Sequence, residues 1–228
     1  MLAHCRTGEG PELLFLHGWG CDKDIFKLSD KLRGFTITRV DFYGFGETPA
    51  PPFPINLDYF VQGVEEVIRF YNMEDVIVIG HSFGGRVAIK LSKNSRVSAL
   101  ILVDSAGIKP RRNLSYFIKV GTHKLLKKLG FAGNSGSADY KKLVGSMKRT
   151  FINIVNEDLT KLSKEITLPT MLIWGENDRE TPLYMLKKLE KNIRNTKTII
   201  FENCGHFCFL EEPTRFLSLI SEFARGVL

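Results

Sequence analysis

The stretch Val76-Ile77-Val78-Ile79-Gly80-His81-Ser82-Phe83-Gly84-Gly85 decides the fold of this chain. Its first half, Val76–Gly80, is an apolar run typical of a buried β-strand, and Gly84–Ser92 continues with helical spacing. Between them stands the pattern Gly-x-Ser-x-Gly, which turns a strand into a helix within one residue. Such a turn strains the serine backbone and lifts its hydroxyl clear of the sheet, so Ser82 is a candidate nucleophile.

Further apolar runs and amphipathic stretches alternate on either side of this turn. The other predicted strands are Glu12–Leu16, Phe35–Val40, Ala99–Val103, Thr170–Trp174 and Lys197–Phe201. The predicted helices are Asp58–Tyr71, Gly84–Ser92, Tyr184–Leu189 and Pro213–Leu228. Near-continuous apolar strands alternating with helices predict an α/β fold, with a mostly parallel, doubly wound sheet that is covered on both faces.

The alternation stops after Ala106. Residues 107–167 contain no clean strand, only the helical patterns Tyr116–Leu129 and Tyr140–Val155, separated by the turn-rich Gly130–Ser137. We therefore predict a core formed by residues 1–106 and 168–228, and a helical insertion of residues 107–167.

Composition excludes several classes of protein. The chain has 228 residues, of which 43% are hydrophobic and 25% charged, with only 4 cysteines. It is too apolar to be disordered and too poor in cysteine to be a disulfide scaffold. No apolar run approaches the ~20 residues of a membrane span, and the N-terminus lacks signal-peptide features, so we expect a cytoplasmic protein away from the membrane. The cysteines lack zinc-ligand spacing, and no metal or cofactor is expected.

The net charge of +7 is concentrated in one segment. Residues 107–167 carry 13 lysines and arginines against 4 acidic residues, a net charge of +9, which leaves −2 for the rest of the chain. A nucleic-acid partner is therefore not expected, because nothing beyond the charge favours one. The basic segment is most simply a solvated surface, although attraction of anionic substrates or acidic lipids stays open.

Two polar residues follow later strands of the predicted sheet. Asp178 follows the strand Thr170–Trp174, and His206 follows the strand Lys197–Phe201. Because parallel strands end at the same edge of a sheet, both side chains are expected near Ser82. His206 would take the serine proton and Asp178 would fix the histidine tautomer. Taken individually, Asp178 could be a turn residue and His206 could be a loop histidine. Asp104, which follows the strand Ala99–Val103, is a rival candidate for the acid that pairs with His206.

On these motifs the chain resembles the α/β-hydrolase family over nearly its whole length, because the order serine, acid, histidine is the order of that family. Phe15-Leu16-His17-Gly18-Trp19-Gly20 is similar to the family's oxyanion loop. The resemblance implies that the backbone N–H groups of Trp19 and Phe83 bind the oxyanion, and that His17 braces this loop. It also implies that the insertion is a cap, and that Asp41–Thr48 is a structural loop.

The start of the chain departs from the family pattern, because only about 11 residues precede the first clear strand. The usual first hairpin is shortened or missing, and residues 2–6 would supply one edge strand. Substrate would contact the side chains of Trp19, Phe117, Phe151 and Phe207.

The predicted function is a serine hydrolase that cleaves a small carboxylic ester or thioester through an acyl-enzyme. One alternative is a carbon–carbon bond hydrolase of the same fold, although those usually carry a tryptophan soon after the histidine, where this chain has Phe207-Cys208-Phe209-Leu210. The other alternative is a non-catalytic ligand binder. A haloperoxidase-like side activity and the oligomeric state also stay open.

Overall fold

A seven-stranded sheet forms the centre of the computed structural model, which describes residues 1–109 and 145–227. The strands are β1 (His4–Thr7), β2 (Glu12–Leu16), β3 (Thr36–Val40), β4 (Val76–His81), β5 (Val97–Val103), β6 (Thr170–Gly175) and β7 (Thr196–Phe201). Their order is β1-β3-β2-β4-β5-β6-β7, and every pairing is parallel except that of β1 with β3. The predicted fold class is confirmed.

Helices cover both faces of the sheet. They are α1 (Leu57–Phe70), α2 (Phe83–Leu91), α3 (Ser146–Asn156), α4 (Leu183–Asn192), α5 (Cys208–Glu211) and α6 (Pro213–Val227), with 3-10 helices at Lys23–Lys31 and Leu162–Glu165. One apolar core contains the inward faces of α1, α2 and α4, and the other contains those of α5, α6 and the first 3-10 helix. Within residues 1–109 and 145–227, no helix has the length and apolar character needed to cross a membrane.

The N-terminal segment forms the short edge strand that the sequence predicted. Strand β1 pairs antiparallel with β3, so that His4 lies opposite Val40. Leu2, just before it, is buried against the core. One edge of the sheet is therefore formed by a single antiparallel strand, β1.

The prediction that all strands are buried is wrong for β7. This strand forms the opposite edge of the sheet, and most of its residues are only partly covered. Ile200, for instance, is 39% exposed. An edge strand has a neighbour on one side only, and an apolar run does not reveal which strand takes that place.

The described part of the insertion packs beside the loop that follows β3. Helix α3, at Ser146–Asn156, overlaps the predicted helical stretch Tyr140–Val155. Thr150 Oγ1 accepts a hydrogen bond from Ile55 N at 2.9 Å, and Ser146 Oγ donates to Pro51 O at 2.7 Å. The patterns at Tyr116–Leu129 and Gly130–Ser137, with Phe117, lie outside the described residues.

Candidate active site

Ser82 occupies the single residue between β4 and α2. Its backbone has φ 50° and ψ −110°, a conformation that costs free energy for any residue with a side chain. Three backbone hydrogen bonds hold it there. Ser82 N donates to Val103 O at 3.0 Å, and Ser82 O accepts from Gly85 N at 3.1 Å and Ala106 N at 3.0 Å. The hydroxyl is thereby fixed at the carboxyl edge of the sheet.

Glycine is required on both sides of this serine by close backbone contacts. A Cβ on Gly80 would lie 2.5 Å from Gly84 O, and a Cβ on Gly84 would overlap Leu16 O. No other residue allows the helix to start so close to the strands. The Gly-x-Ser-x-Gly pattern is therefore explained by packing as well as by the turn.

One hydrogen-bonded chain joins the three polar residues that the sequence placed at this edge. His206 Nε2 lies 3.0 Å from Ser82 Oγ, and His206 Nδ1 lies 2.8 Å from Asp178 Oδ2. Since the carboxylate accepts only, Nδ1 carries the proton and the lone pair of Nε2 faces the hydroxyl. This arrangement can remove a proton from the serine.

Asp178 is held by its own loop as well as by His206. Its Oδ1 accepts hydrogen bonds from Glu180 N at 2.7 Å and Thr181 N at 3.0 Å, and its Oδ2 lies 2.5 Å from Thr181 Oγ1. Burial alone would raise the pKa of Asp178, but the bonds from His206 and Thr181 outweigh it and lower the pKa to about 2. The carboxylate is therefore ionised at neutral pH.

The pKa of His206 moves in the opposite direction. Burial alone would lower the pKa of this imidazole, but the hydrogen bond and the charge of Asp178 outweigh burial and raise it above its usual 6.5.

The sequence analysis did not assign a role to Thr181. The spacing Asp-x-x-Thr after a strand is nevertheless a recognisable signal for a side chain that bonds its own loop.

Asp104, the rival acid, makes no hydrogen bond with His206 among the described residues. It follows β5 with φ 44° and is fully buried, and its Oδ1 accepts from Gly175 N at 2.8 Å. Burial raises its pKa to about 8, so this carboxyl is largely protonated at neutral pH. In the structure Asp178, and not Asp104, lies beside His206 Nδ1.

A neutral histidine braces the loop after β2. His17 Nδ1 donates to Gly18 O at 2.7 Å, and His17 Nε2 accepts from Phe42 N at 3.1 Å. Burial lowers the pKa of His17 to about 4. The prediction that His17 supports this loop is confirmed by these contacts.

The residues predicted to form an oxyanion hole lie against each other. The rings of Trp19 and Phe83 contact each other edge to face, with centroids 5.3 Å apart. Phe83 is the first residue of α2, so its backbone N–H precedes the intrahelical hydrogen bonds. The Trp19 ring also meets Phe151 of α3 at 5.2 Å.

The loop Asp41–Thr48, predicted to be structural, is held by hydrogen bonds from Lys23 and from its own residues. Asp41 is buried and accepts hydrogen bonds from Lys23 N, Lys23 Nζ and Glu47 N at 2.7, 2.8 and 2.9 Å. Its backbone oxygen accepts from Thr48 Oγ1 at 2.8 Å.

A cleft of about 440 Å³ opens above Ser82, and its described lining includes Trp19, Phe207 and Glu180. Glu180 was not predicted, although it lies 3.5 Å from His206 Nε2 through its Oε2. Phe151 is not part of the described lining of this cleft, but its ring packs against that of Trp19. In residues 1–109 and 145–227, no cluster of three or more histidine, cysteine or acidic side chains is arranged to bind a metal ion.

His81, the residue before the serine, was also missed as part of the site. Its Nε2 donates to His206 O at 2.8 Å, and its ring lies 4.8 Å from that of His206. The ring is fully buried, and burial lowers the pKa of His81 to about 3. A neutral His81 therefore helps to hold the loop that carries His206.

Comparison with known proteins identifies the class of protein that this fold and site define. Residues 13–219 match the sequence profile of the alpha/beta hydrolase family, and the chain belongs to that family. The resemblance to the α/β-hydrolase family that the sequence motifs indicated is thus confirmed.

Three similar proteins extend this finding. The AB hydrolase superfamily protein YisY of Bacillus subtilis is 27% identical, over 96% of this chain and 93% of its own. A pimeloyl-[acyl-carrier protein] methyl ester esterase of Nitrosomonas europaea is 26% identical, over 93% and 95%. The esterase EaEST of Exiguobacterium antarcticum superposes with a TM-score of 0.79 and 25% identity, over 98% and 95%. The predicted enzyme class, hydrolase, is confirmed.

Proposed function

We propose that this protein is a serine hydrolase that cleaves small carboxylic esters or thioesters through an acyl-enzyme formed on Ser82. The observation that carries the proposal is the continuous chain of hydrogen bonds from Ser82 through His206 to Asp178. The esterase names of two relatives support an ester as the substrate.

In the proposed reaction, Ser82 Oγ attacks the carbonyl carbon of the substrate while His206 Nε2 takes the hydroxyl proton. Collapse of the tetrahedral intermediate releases the alcohol or thiol, which receives that proton from Nε2. Water then attacks the acyl-enzyme with His206 again acting as base. Asp178 keeps the Nδ1 proton in place and stabilises the imidazolium.

The negative charge on the carbonyl oxygen needs donors. We assign this role to the backbone N–H groups of Trp19 and Phe83, whose side chains pack together beside the serine. Loss of one such donor costs about 10²–10³ in rate in enzymes of this kind. The glycines on both sides of Trp19 favour a backbone that turns toward the cleft.

The proposed domain organisation assigns residues 1–106 and 168–228 to the hydrolase core and residues 107–167 to the cap. A small-molecule substrate would bind between them, against Trp19, Phe117, Phe151 and Phe207. The contact between Phe151 and Trp19 supports a pocket bordered by both parts. We retain the cytoplasm as the proposed location.

A substrate series tests this proposal. Purified protein is assayed with p-nitrophenyl esters and acyl thioesters of increasing chain length, with Ser82→Ala as the blank. We expect turnover of the short members, reduced by at least about 10³ in the variant. Failure to hydrolyse any ester or thioester would contradict the proposal and favour the ligand-binding alternative.

A further inference from the structure

A second carboxylate stands beside the catalytic edge of the imidazole. Glu180 Oε2 lies 3.5 Å from His206 Nε2, whereas Asp178 bonds the other ring nitrogen, Nδ1. The Glu180 side chain is 65% exposed and lines the cleft above Ser82. Its backbone N–H is fixed by Asp178 Oδ1 at 2.7 Å, so the residue is tied to the acid loop.

Glu180 is the only described lining residue with a fixed charge. The other residues of the cleft between positions 1–109 and 145–227 are glycines, aromatic residues, Cys21, Ser82 and two histidines. The nearby Lys23 is engaged by the carboxylates of Asp41 and Glu47 at 2.8 and 2.6 Å. The described wall of the cleft therefore presents one negative charge.

The carboxylate of Glu180 lies close to the place where the leaving group of a substrate must depart. The departing oxygen or sulfur must come within about 3 Å of His206 Nε2 to receive its proton. Since Glu180 Oε2 is 3.5 Å from the same nitrogen, substituents next to the departing atom pass close to the carboxylate. An ammonium two carbons away is attracted there, and an anion is repelled.

We propose that Glu180 is a specificity-determining residue that selects esters and thioesters whose leaving group carries a cationic ammonium. The inference rests on the proposed function, because it concerns the leaving group of that same reaction. It adds a substrate preference that Ser82, His206 and Asp178 do not provide.

Two acetate esters of equal shape test the preference. The cationic ester is 2-(trimethylammonio)ethyl acetate, and the neutral ester is 3,3-dimethylbutyl acetate, in which carbon replaces nitrogen. We measure kcat/KM for both with wild type, Glu180→Gln and Glu190→Gln. The quantity compared is the ratio cationic over neutral, because the intrinsic reactivities of the two esters cancel between variants.

Glu190 is the matched control, since it is an exposed glutamate on α4 and its substitution changes the net charge equally. We expect Glu180→Gln to lower the ratio about fivefold and Glu190→Gln to leave it unchanged. The wild-type ratio should also fall in high salt, because the carboxylate is exposed.

The outcomes separate this inference from the proposed function. Hydrolysis of the neutral ester with the same ratio in wild type and Glu180→Gln would overturn the inference and leave the hydrolase proposal standing. A ratio lowered equally by both variants would also overturn it, because that result reflects net charge. Absence of activity on every ester, including the p-nitrophenyl series, would instead contradict the proposed function.

Discussion

The Nδ1 atom of His206 lies 2.8 Å from Oδ2 of Asp178, a buried carboxylate whose pKa is lowered to about 2. That fixed negative charge raises the pKa of His206 above 6.5. The base in the proposed mechanism works only when the imidazole is neutral, so this pair sets the lower pH limit of activity.

The pH dependence of kcat/KM should therefore show one protonation on the acid side. Activity is full above the raised pKa of His206 and falls about tenfold per pH unit below it. In Asp178→Asn the pKa of His206 loses its main raising cause, so the midpoint moves to lower pH, and kcat drops by about 10⁴. A pH–rate profile of both proteins checks this. A midpoint that stays in place would show that Asp178 does not govern the base.

Asp104 should affect stability rather than catalysis. Its folded-state pKa is raised to about 8, whereas an unfolded aspartate titrates near 4, so the folded protein holds one extra proton between these values. The free energy of unfolding therefore falls as pH rises through this window, by up to about 1.4 kcal/mol per pH unit from this group. Asp104→Asn should flatten that slope.

Urea unfolding of wild type and Asp104→Asn between pH 5 and pH 8 measures the effect. The same variant should keep kcat/KM within about threefold of wild type, in contrast to Asp178→Asn, because Asp178 bonds the imidazole and Asp104 does not. Equal losses of activity in the two variants would restore Asp104 as a candidate acid.

Two glycines allow the loop of Trp19 to be tested against a matched control. Gly20 has φ 81° and Gly34 has φ 78°, and at both positions an added Cβ meets open space. Alanine should cost each site a similar amount of stability, about 1–2 kcal/mol, because both adopt the left-handed conformation. Gly20→Ala should also lower kcat about tenfold through the adjacent oxyanion donor, and Gly34→Ala should not. Thermal unfolding and kcat for both variants check this, and equal kcat values would count against the assigned donor.

The ring of Phe151 offers a test of the link between the insertion and the site. Its centroid lies 5.2 Å from that of Trp19, whereas the neighbouring Ile152 is 42% exposed. Phe151→Ala should lower kcat/KM about tenfold by releasing Trp19, and Phe151→Leu should recover part of the loss. Ile152→Ala should stay near wild type. If all three variants matched wild type, the helix would be irrelevant to the pocket.

The sheet and the polar residues at its carboxyl edge could be predicted from the sequence for a physical reason. Apolar runs of strand length mark buried parallel strands, and the ends of such strands converge, so Ser82, Asp178 and His206 could be grouped before any coordinates were known. The glycine pattern around Ser82 also predicted the sharp turn between the strand and the helix.

Other features could not be predicted because they depend on tertiary placement. Nothing in the run Lys197–Phe201 shows that β7 lies at an edge, and nothing in Asp104 shows that its partner is Gly175 N rather than a histidine. Glu180 resembles any exposed glutamate of a turn until the loop brings it to Nε2 of His206. Some of these contacts join residues that are distant in sequence, and others depend on the direction in which a side chain points. Neither property can be read from a local sequence pattern.

The most direct test of the central claim is covalent labelling of Ser82 by a fluorophosphonate, followed by mass spectrometry of the digested protein. We expect one adduct per chain, on the peptide that contains Ser82, and no adduct in Ser82→Ala. We also expect slow labelling in His206→Ala, because the base that activates the hydroxyl at 3.0 Å is lost. An unlabelled wild-type protein, or an adduct that persists in Ser82→Ala, would contradict the assignment of Ser82 as the nucleophile.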